Sequence, residues 1–413
     1  MGLMNFSWHK PRLTRTLGLV SCVFFGVGSI LGAGIYALIG KVAGQGGFMT
    51  WASFLMGALT ALMTTFSYAE LASMFPRAGG EYVYLNHALG RKWAAFVGTI
   101  VVGNSVVTGA AVALGFGGYL TKLIPMPYLW ATWAIVVVLF MVNVWGIRLS
   151  STVNILFTLV EISGLLLVIY AGFFHGRPQP FFALPQQGLN GLFLGAAMGF
   201  FAYVGFEEIV RLAEETKTPE KTIPRALFIA SLIVALLYMA VSVAVTRLLP
   251  PDILSASAGP LADALGQWLG QSGVAAIAII ALFATTNTVL ANMLGASRVL
   301  MSMGQQIKGL APLSYISPVR HTPLLALVVI TIVILALSLI RKIELVALIA
   351  NLFICVTFIL MNVSVIVLRF THPNLGRPYA IPGRIGKVPI IPVIGLLLTA
   401  ILLGYAAWGI ALA

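Results

Sequence analysis

Eleven long apolar segments divide the chain, and only short polar connections separate them. Each segment is long enough to cross about 30 Å of hydrocarbon as an α-helix, and a helix satisfies its own backbone hydrogen bonds where water is absent. The segments are residues 17–39, 47–73, 93–121, 128–147, 151–173, 191–210, 226–249, 272–300, 323–340, 344–368 and 388–412. The sequence therefore predicts an all-α integral membrane protein with a single transmembrane domain over residues 1–413.

The basic residues are distributed unevenly between the two sides of this predicted bundle. The formal net charge is +13, which in a soluble chain would suggest a nucleic-acid partner. With the N-terminus placed in the cytoplasm, 18 of the 24 Lys and Arg residues fall in cytoplasmic segments. The other six are Lys41, Lys122, Arg177, Arg247, Arg341 and Lys342. This split follows the positive-inside rule, so it indicates the orientation of a multi-pass protein in the cell (plasma or inner) membrane, with no nucleic-acid partner.

Two of the predicted spans are interrupted by glycines near their middle. The first contains Gly28–Gly34, with the sequence GSILGAG, and the sixth contains Gly195–Glu208. Glycine costs about 1 kcal/mol relative to alanine inside a helix, and a broken helix leaves backbone groups that must line a cavity or be buried in protein. Matching breaks in two halves of a chain indicate a transporter binding site. The spacing of Gly28 and Gly32 also suits helix–helix packing, which is the alternative interpretation.

The two interrupted spans occupy corresponding places in the order of segments. Each opens a block of five spans, residues 17–173 and residues 191–368, and one additional span follows at 388–412. Because five is an odd number, the second block runs in the opposite orientation to the first. The pattern predicts two inverted repeats related across the membrane plane.

Two carboxyl groups lie at membrane depth. Glu161 is near the middle of the fifth span, and Glu207 follows the break in the sixth. A carboxylate there costs several kcal/mol unless it is paired or protonated, so both residues are candidates for proton coupling or gating. The alternatives are a hydrogen-bonded structural carboxyl for Glu161 and an ion pair of Glu207 with Arg211, four residues later on one helix face. Glu208, nearer the cytoplasmic end, is interpreted as structural.

Several other side chains are candidates for the wall of a binding pocket. Asn104 lies within the third span, Thr285–Asn287 lie within the eighth, and Phe201 and Tyr203 flank the second break. Mid-span amides and hydroxyls also bridge helices without binding anything, and the two aromatic rings are equally compatible with a packed core.

Other classes of membrane protein have less support. The histidines are His9, His87, His175, His321 and His372, all at span ends or in loops. The sequence has no mid-span histidine pair, no metal-binding helix motif and no nucleophile–base set, so we expect neither an enzyme nor a bound cofactor or metal. A channel is an alternative that saturable transport with counterflow would exclude.

Five motifs, in the same order along the chain, resemble those of the amino acid–polyamine–organocation (APC) superfamily of permeases. They are the first-span motif Gly28–Tyr36, the cytoplasmic motif Phe75–Tyr82, the sixth-span signature Gly205–Glu207 with Glu215–Pro224, and the segments Ser297–Leu300 and Arg377–Tyr379. The resemblance covers nearly the whole chain. It implies a leucine-transporter-type fold, in which two inverted repeats of five helices have their first and sixth helices broken, and alternating access for an amino acid.

The resemblance also implies where the substrate binds. Its carboxylate would meet backbone N–H groups at a half-helix N-terminus, and its ammonium would meet carbonyls freed by the breaks. The implied substrate-binding residues are Ser29, Ile30, Gly32, Ala33, Gly34, Asn104, Phe201, Ala202, Tyr203 and Val204. Small neutral substrates fit the Gly, Ala and Phe content of the breaks, whereas Glu207 or Glu161 facing the pocket would favour a cationic substrate.

The chain departs from the superfamily pattern at Glu161, a position that bears on the coupling ion. Many superfamily members carry Lys where this chain has Glu161, and its ammonium stands in for a sodium ion. A carboxylate does not mimic that cation, but it can carry a proton; the resemblance links Glu207 to protonation or gating. We therefore expect a secondary active transporter of L-amino acids, proton-coupled and surrounded by membrane lipid, with an amino acid/polyamine antiporter as the alternative.

Overall fold

A computed structural model of the protein describes residues 13–257, 259–340 and 343–412. Within them, nine helical stretches are long and apolar enough to cross a membrane, and Tyr128–Val144 and Leu324–Ser338 are shorter apolar helices. Together they match the eleven predicted segments, and the predicted all-α class is confirmed. Lys10, Arg12, Arg341 and Lys342, which the charge distribution uses, and the terminal Ala413 lie outside the described residues.

The first half of the chain supplies seven helices. They are α1 (Leu19–Leu31), α2 (Ala33–Gly46), α3 (Thr50–Met74), α4 (Glu81–Ala88), α5 (Arg91–Leu123), α6 (Tyr128–Val144) and α7 (Ile147–His175), with a 3₁₀ turn at Gly47–Met49. Glycines set several of the boundaries, because Gly80 and Gly90 have positive φ angles of 47° and 89° just before α4 and α5, a backbone region that other residues rarely adopt.

The second half supplies eight further helices and one small hairpin. They are α8 (Gly188–Phe201), α9 (Pro219–Leu248), α10 (Pro251–Ala256), α11 (Pro260–Leu269), α12 (Gln271–Gln306), α13 (Leu324–Ser338), α14 (Ile343–Thr371) and α15 (Ile390–Leu412), with 3₁₀ helices at Phe206–Glu215 and Lys308–Ser314 and the antiparallel strands β1 (Arg384–Ile385) and β2 (Val388–Pro389). Three of these helices begin with proline, whose missing N–H is not needed at a first helical position.

Helices α1, α5, α7 and α12 surround the middle of the bundle. Helix α12 packs along α5 and α7, and α1 packs between α7 and α9. Small residues permit this closeness: a β-carbon at Gly172 of α7 would overlap the backbone of Ala244 in α9. The breaks after α1 and α8 lie inside the protein, since Ile30, Leu31 and Ala202 are buried.

Ion pairs hold together the end of the bundle that carries loop 75–80, called here the loop 75–80 end. Glu70 at the end of α3 accepts hydrogen bonds from Arg369 at 3.0 Å and Arg377 at 3.1 Å. Arg298 of α12 pairs with Glu215 at 2.9 Å. Burial and the nearby Glu70 carboxylate raise the pKa of Tyr379 to about 12, so its hydroxyl stays neutral in the loop between α14 and β1.

Candidate functional site

The first predicted break is present at Gly32. Helix α1 ends at Leu31, α2 begins at Ala33, and Gly32 between them has φ −36° and ψ −154°, outside the helical region. No described side chain caps the N-terminus of α2. Its first N–H groups therefore have no partner within the helix, and they form the positive end of a helix dipole.

The second predicted break lies between α8 and the 3₁₀ helix Phe206–Glu215. Residues 202–204 form turns, and Gly205 has φ +131°, a conformation that favours glycine. The N–H of Gly205 donates a hydrogen bond to Oε2 of Glu207 at 2.8 Å. The backbone thus changes direction here, and the carboxyl group of Glu207 is held against the turn.

The two breaks touch each other through their backbones. A β-carbon at Gly205 would lie 2.5 Å from the carbonyl oxygen of Ser29, and one at Gly34 would lie 3.1 Å from the Cα of Ala202. Both positions therefore have room for hydrogen but little for a side chain. The Tyr238 hydroxyl donates to the freed carbonyl of Ile30 at 2.9 Å, which anchors the end of α1.

A cavity of about 340 Å³ opens between the two breaks. Its walls come from α1, α2, α5, α12 and the second break, and most of its surface is apolar. Of the residues predicted as substrate-binding or coupling, the cavity is lined by Ser29, Ile30, Gly32, Gly34, Asn104, Phe201, Ala202, Val204 and Glu207. For Ala33 only the backbone is described, as the first residue of α2.

Tyr203 and Glu161 are absent from the lining of this cavity. The Tyr203 ring packs against Phe54 and Tyr238, with centroids 6.3 Å and 5.1 Å away. Glu161 is fully buried, in contact with Asn287 of α12 and, through its carbonyl oxygen, with Tyr36 of α2. Neither of these two predicted side chains therefore borders the cavity.

Glu161 belongs to a cluster of amides and hydroxyls, called here the Glu161 cluster. Asn287 of α12 donates to Oε1 of Glu161 at 3.0 Å and to the Thr158 hydroxyl at 3.1 Å, and accepts from Asn154 at 2.7 Å. Oε2 of Glu161 and Oδ1 of Asn154 are buried without a hydrogen-bond partner. Among the described residues, no Lys or Arg forms a salt bridge with Glu161.

Gly28 lets α1 approach this cluster. A β-carbon at Gly28 would overlap the Thr158 hydroxyl and lie 2.5 Å from Nδ2 of Asn287. The first glycine of GSILGAG thus serves packing, as the alternative interpretation held, while Gly32 and Gly34 line the cavity.

A second group of charges, called here the Arg211 cluster, lies beside the cavity and against Gly80 of loop 75–80. Arg211 is only 2% exposed and pairs with Glu81 of α4 at 3.1 Å and with Glu208. It also donates to Ser105 of α5 at 3.3 Å. The Glu207–Arg211 pair offered as an alternative is not among the described salt bridges. A 3₁₀ helix has three residues per turn, so residue 208, not 207, shares a face with residue 211.

A second cavity of about 500 Å³ lies toward the opposite end of the bundle, beside Gly259 and Leu261. Tyr36, Gly115, Tyr119 and Ala281 line both cavities. The two spaces are thus neighbours, and the Tyr36 and Tyr119 rings stand where they meet.

Sequence reasoning missed several residues that line the first cavity. They include Tyr36, Thr108, Tyr119, Glu208, Thr288 and Asn292. Two of these residues could have been predicted, since Thr288 and Asn292 follow Thr285 at three- and seven-residue spacing on one face of α12. The position of Glu208 could not be predicted in this way, because it depends on the 3₁₀ geometry of the segment.

Comparison with known proteins identifies the family. Residues 17–411 match the amino acid permease family. The branched-chain amino acid permease BcaP of Bacillus subtilis is 30% identical, over 97% of this chain and 90% of its own length. A methylthioribose transporter of the same organism is 28% identical, over 93% of this chain and 87% of its own. The vacuolar cationic amino acid transporter 4 of Arabidopsis thaliana is 30% identical, over 88% of this chain and 64% of its own. The chain belongs to the amino acid permease family of the APC superfamily.

Proposed function

We propose that this protein is a secondary active transporter that moves L-amino acids across the cytoplasmic membrane by alternating access. The observation that carries the proposal is the backbone contact between the two helix breaks, with a cavity between them. Broken helices at mid-membrane present half-helix ends to a solute. The N-terminus and the loop 75–80 end would face the cytoplasm.

The chemistry of the breaks suits an α-amino acid. The uncapped N-terminus of α2 at Gly32–Gly34 is positive and offers N–H donors to a carboxylate. The carbonyls of Ser29 and Ile30 and those of residues 201–204 would accept hydrogen bonds from the α-ammonium. Relatives named as branched-chain and cationic amino acid transporters support this substrate class.

Alternating access requires a path that opens on one side at a time. The second cavity adjoins the first through Tyr36 and Tyr119, whereas the buried Arg211 cluster blocks the opposite side. This arrangement supports an outward-facing conformation.

We further propose that residues 17–173 and 191–368 are the two inverted repeats that move against each other, with 388–412 as an additional helix.

The Glu161 cluster supports coupling to protons. A fully buried carboxylate without a cation is unfavourable, so we propose that Glu161 takes up and releases a proton as α1 moves over it. Glu207, fixed at the second break, would link protonation to gating. Uptake driven by an imposed proton gradient would support symport, whereas uptake that depends only on an internal amino acid would indicate an antiporter.

The site is tested by substituting its glycines. We expect Gly34→Val to abolish amino acid binding, because its β-carbon would press on the Ala202 backbone in the second break. The measurement is thermal stabilisation of the purified protein by twenty amino acids and common polyamines, followed by uptake into liposomes. Gly404→Val in α15 is the matched control, since no atom lies within 4 Å of its β-carbon position. Normal affinity in Gly34→Val would remove this site from consideration.

A further inference from the structure

The segment that follows the second break has an unusual backbone geometry. Phe206–Glu215 is a 3₁₀ helix of ten residues. Three-residue hydrogen bonds also close its ends, from Glu208 N–H to the Gly205 carbonyl oxygen at 3.1 Å and from Thr216 N–H to that of Ala213 at 3.4 Å. A 3₁₀ run longer than three or four residues is uncommon and often marks a hinge. Because the sequence FEEIVRLAEE is rich in α-helix formers, an α-helix is the competing structure for these residues.

The two helix types give Arg211 different partners. Successive residues are about 120° apart around a 3₁₀ helix and about 100° apart around an α-helix. In the 3₁₀ form Glu208 is aligned with Arg211 and pairs with it, whereas Glu207 accepts a hydrogen bond from the Gly205 N–H at 2.8 Å. In an α-helix Glu207 and Arg211 would lie about 40° apart and one turn away, which is the spacing of an ion pair between residues i and i+4.

The same change would break the contacts that join Arg211 to its neighbours. Arg211 is six residues beyond Gly205, and it would turn by about 120° relative to the break, because the two helix types differ by about 20° per residue. This rotation takes its guanidinium away from Glu81 of α4, at 3.1 Å, and from Ser105 of α5, at 3.3 Å. The α form would therefore separate the segment from α4 and α5 beside the cavity.

Three glycines give the segment space in which to turn. They lie on three different neighbours, Gly26 on α1, Gly80 just before α4 and Gly295 on α12. A β-carbon at Gly26 would overlap Ile209, one at Gly295 would overlap the Glu208 carboxyl group, and one at Gly80 would lie 3.1 Å from a side chain of the segment. Bare backbone faces the segment at each of these points, so no side chain obstructs its rotation there.

The far end of the segment is fastened to the start of α1. The N–H groups of Thr16 and Leu17 donate to the Glu215 carbonyl oxygen at 2.9 Å, and the Lys217 N–H donates to the Leu17 carbonyl oxygen at 2.8 Å. Ten residues would shorten by about 5 Å on conversion, since the rise per residue falls from about 2.0 to 1.5 Å. The start of α1 would move with Glu215, so both half-helices would respond together.

We infer that Phe206–Glu215 is a conformational switch, which closes the loop 75–80 end of the cavity as a 3₁₀ helix and opens it as an α-helix. The inference rests on the proposed function, because it states how one side of an alternating-access path opens. Glu208 and Glu207 are positioning residues with opposite effects. Glu208 stabilises the closed form by pairing with Arg211, and Glu207 stabilises the open form by pairing with it there.

The test replaces each carboxylate with its amide. Thr108→Cys provides a reporter thiol, because Thr108 lines the cavity one turn of α5 beyond Ser105. A membrane-impermeant maleimide is added on the side that carries loop 75–80, without amino acid. We expect Glu208→Gln to raise the labelling rate at least about fivefold and Glu207→Gln to lower it by a similar factor, the effect of losing a hydrogen bond to a charged group. Asp252→Asn, exposed in α10, is the matched control and should leave the rate unchanged.

The opposite signs distinguish a switch from a purely structural charge cluster. Glu207→Gln keeps an oxygen for the Gly205 N–H, so it leaves the 3₁₀ form intact and weakens only the α form. A structural cluster predicts that both variants loosen this end or that neither does. An unchanged or raised rate in Glu207→Gln, or an unchanged rate in Glu208→Gln, would overturn the switch.

A distance measurement covers loss of folding in either variant. Cys22 and Cys355 are buried, so their labelling reports unfolding. Nitroxide labels are then placed at Lys217 and Arg177, both exposed, in protein that keeps Glu207, Glu208 and Arg211. We expect two interlabel distances that differ by about 5 Å, and a single distance both with and without amino acids would overturn the switch. Failure to bind any amino acid would instead overturn the proposed function, since the thiol labelling needs no substrate.

Discussion

The Arg211 cluster and the Glu161 cluster bury carboxyl groups equally well, but they surround them differently. In the first, Glu81 and Glu208 meet a guanidinium, with Glu81 at 3.1 Å. In the second, Glu161 meets only the amide of Asn287, at 3.0 Å, and one of its oxygens has no partner. The first arrangement places a cation between two carboxyl groups, whereas the second provides hydrogen bonds without a cation.

The two environments favour different protonation states of a buried carboxyl group. A buried carboxylate with a hydrogen-bonded cation is stable as an ion, and it is strongly destabilised when the cation is removed. A carboxyl group in hydrocarbon without a cation is costly as an ion and favourable when it carries a proton. We therefore propose that the Arg211 cluster closes one end of the cavity and that the Glu161 cluster exchanges the proton.

Removing Arg211 should have the largest effect of any change to either cluster. Arg211→Leu leaves Glu81 and Glu208 buried without a cation, so we expect the free energy of unfolding to fall by about 3–5 kcal/mol. Thermal unfolding in detergent measures the loss, and transport should be absent. Arg148→Leu is the control, because Arg148 is exposed. Equal stability of the two variants would mean that the ion pairs are dispensable.

The sequence predicted the features that depend on local chemistry, namely the helix breaks, the spans and the buried carboxyl group of Glu161. Glycine is a poor helix former, so the glycines around Gly32 and Gly205 predicted the two breaks from the sequence alone. The apolar lengths likewise predicted the spans, because hydrocarbon thickness sets helix length. Glu161 stood out because a mid-span carboxyl group is costly wherever the chain folds.

The partners of those carboxyl groups could not be predicted in the same way. Glu81 and Arg211 lie 130 residues apart, and Glu161 and Asn287 lie 126 apart. The contact of the first residue of α4 with the 3₁₀ helix, and the packing of α7 beside α12, bring them together. Glu207 was paired with Arg211 on α-helical spacing, whereas the 3₁₀ geometry of Phe206–Glu215 places Glu208 against Arg211.

Removing the amide partner of Glu161 should have an intermediate effect. Asn287→Ala leaves an oxygen of Glu161 and the amide of Asn154 without their present bonds, and it opens a small void. We expect the free energy of unfolding to fall by about 1–3 kcal/mol, the cost of an unmet buried polar group. Chemical denaturation in detergent measures this. Asn190→Ala is the control, because Asn190 is exposed in α8. A loss as large as that in Arg211→Leu would show that the Glu161 cluster behaves as an ion pair.

Replacing the carboxyl group itself should have the smallest effect on stability and a clear effect on coupling. Glu161→Gln keeps an oxygen for the Asn287 amide and adds an N–H₂ donor to a cluster in which Asn154 has an unmet acceptor. If Glu161 is protonated in the resting protein, the substitution removes no charge, and the free energy of unfolding should change by less than about 1 kcal/mol.

The pH dependence of transport by the same variant tests whether the Glu161 cluster carries the coupled proton. If Glu161 must carry a proton before substrate is loaded, uptake by the unmodified protein should rise as external pH falls from about 8 to 5.5, whereas Glu161→Gln should be insensitive to pH over this range. The titratable neighbours are Tyr36 of α2, whose hydroxyl lies 3.4 Å from the Glu161 carbonyl oxygen, and Tyr238 of α9. Phenols do not titrate over this range, so they leave the comparison intact. If Glu161→Gln keeps the full pH dependence, Glu161 does not carry the coupled proton. Glu207 at the second break would then be the candidate, and the Glu161 cluster would be purely structural.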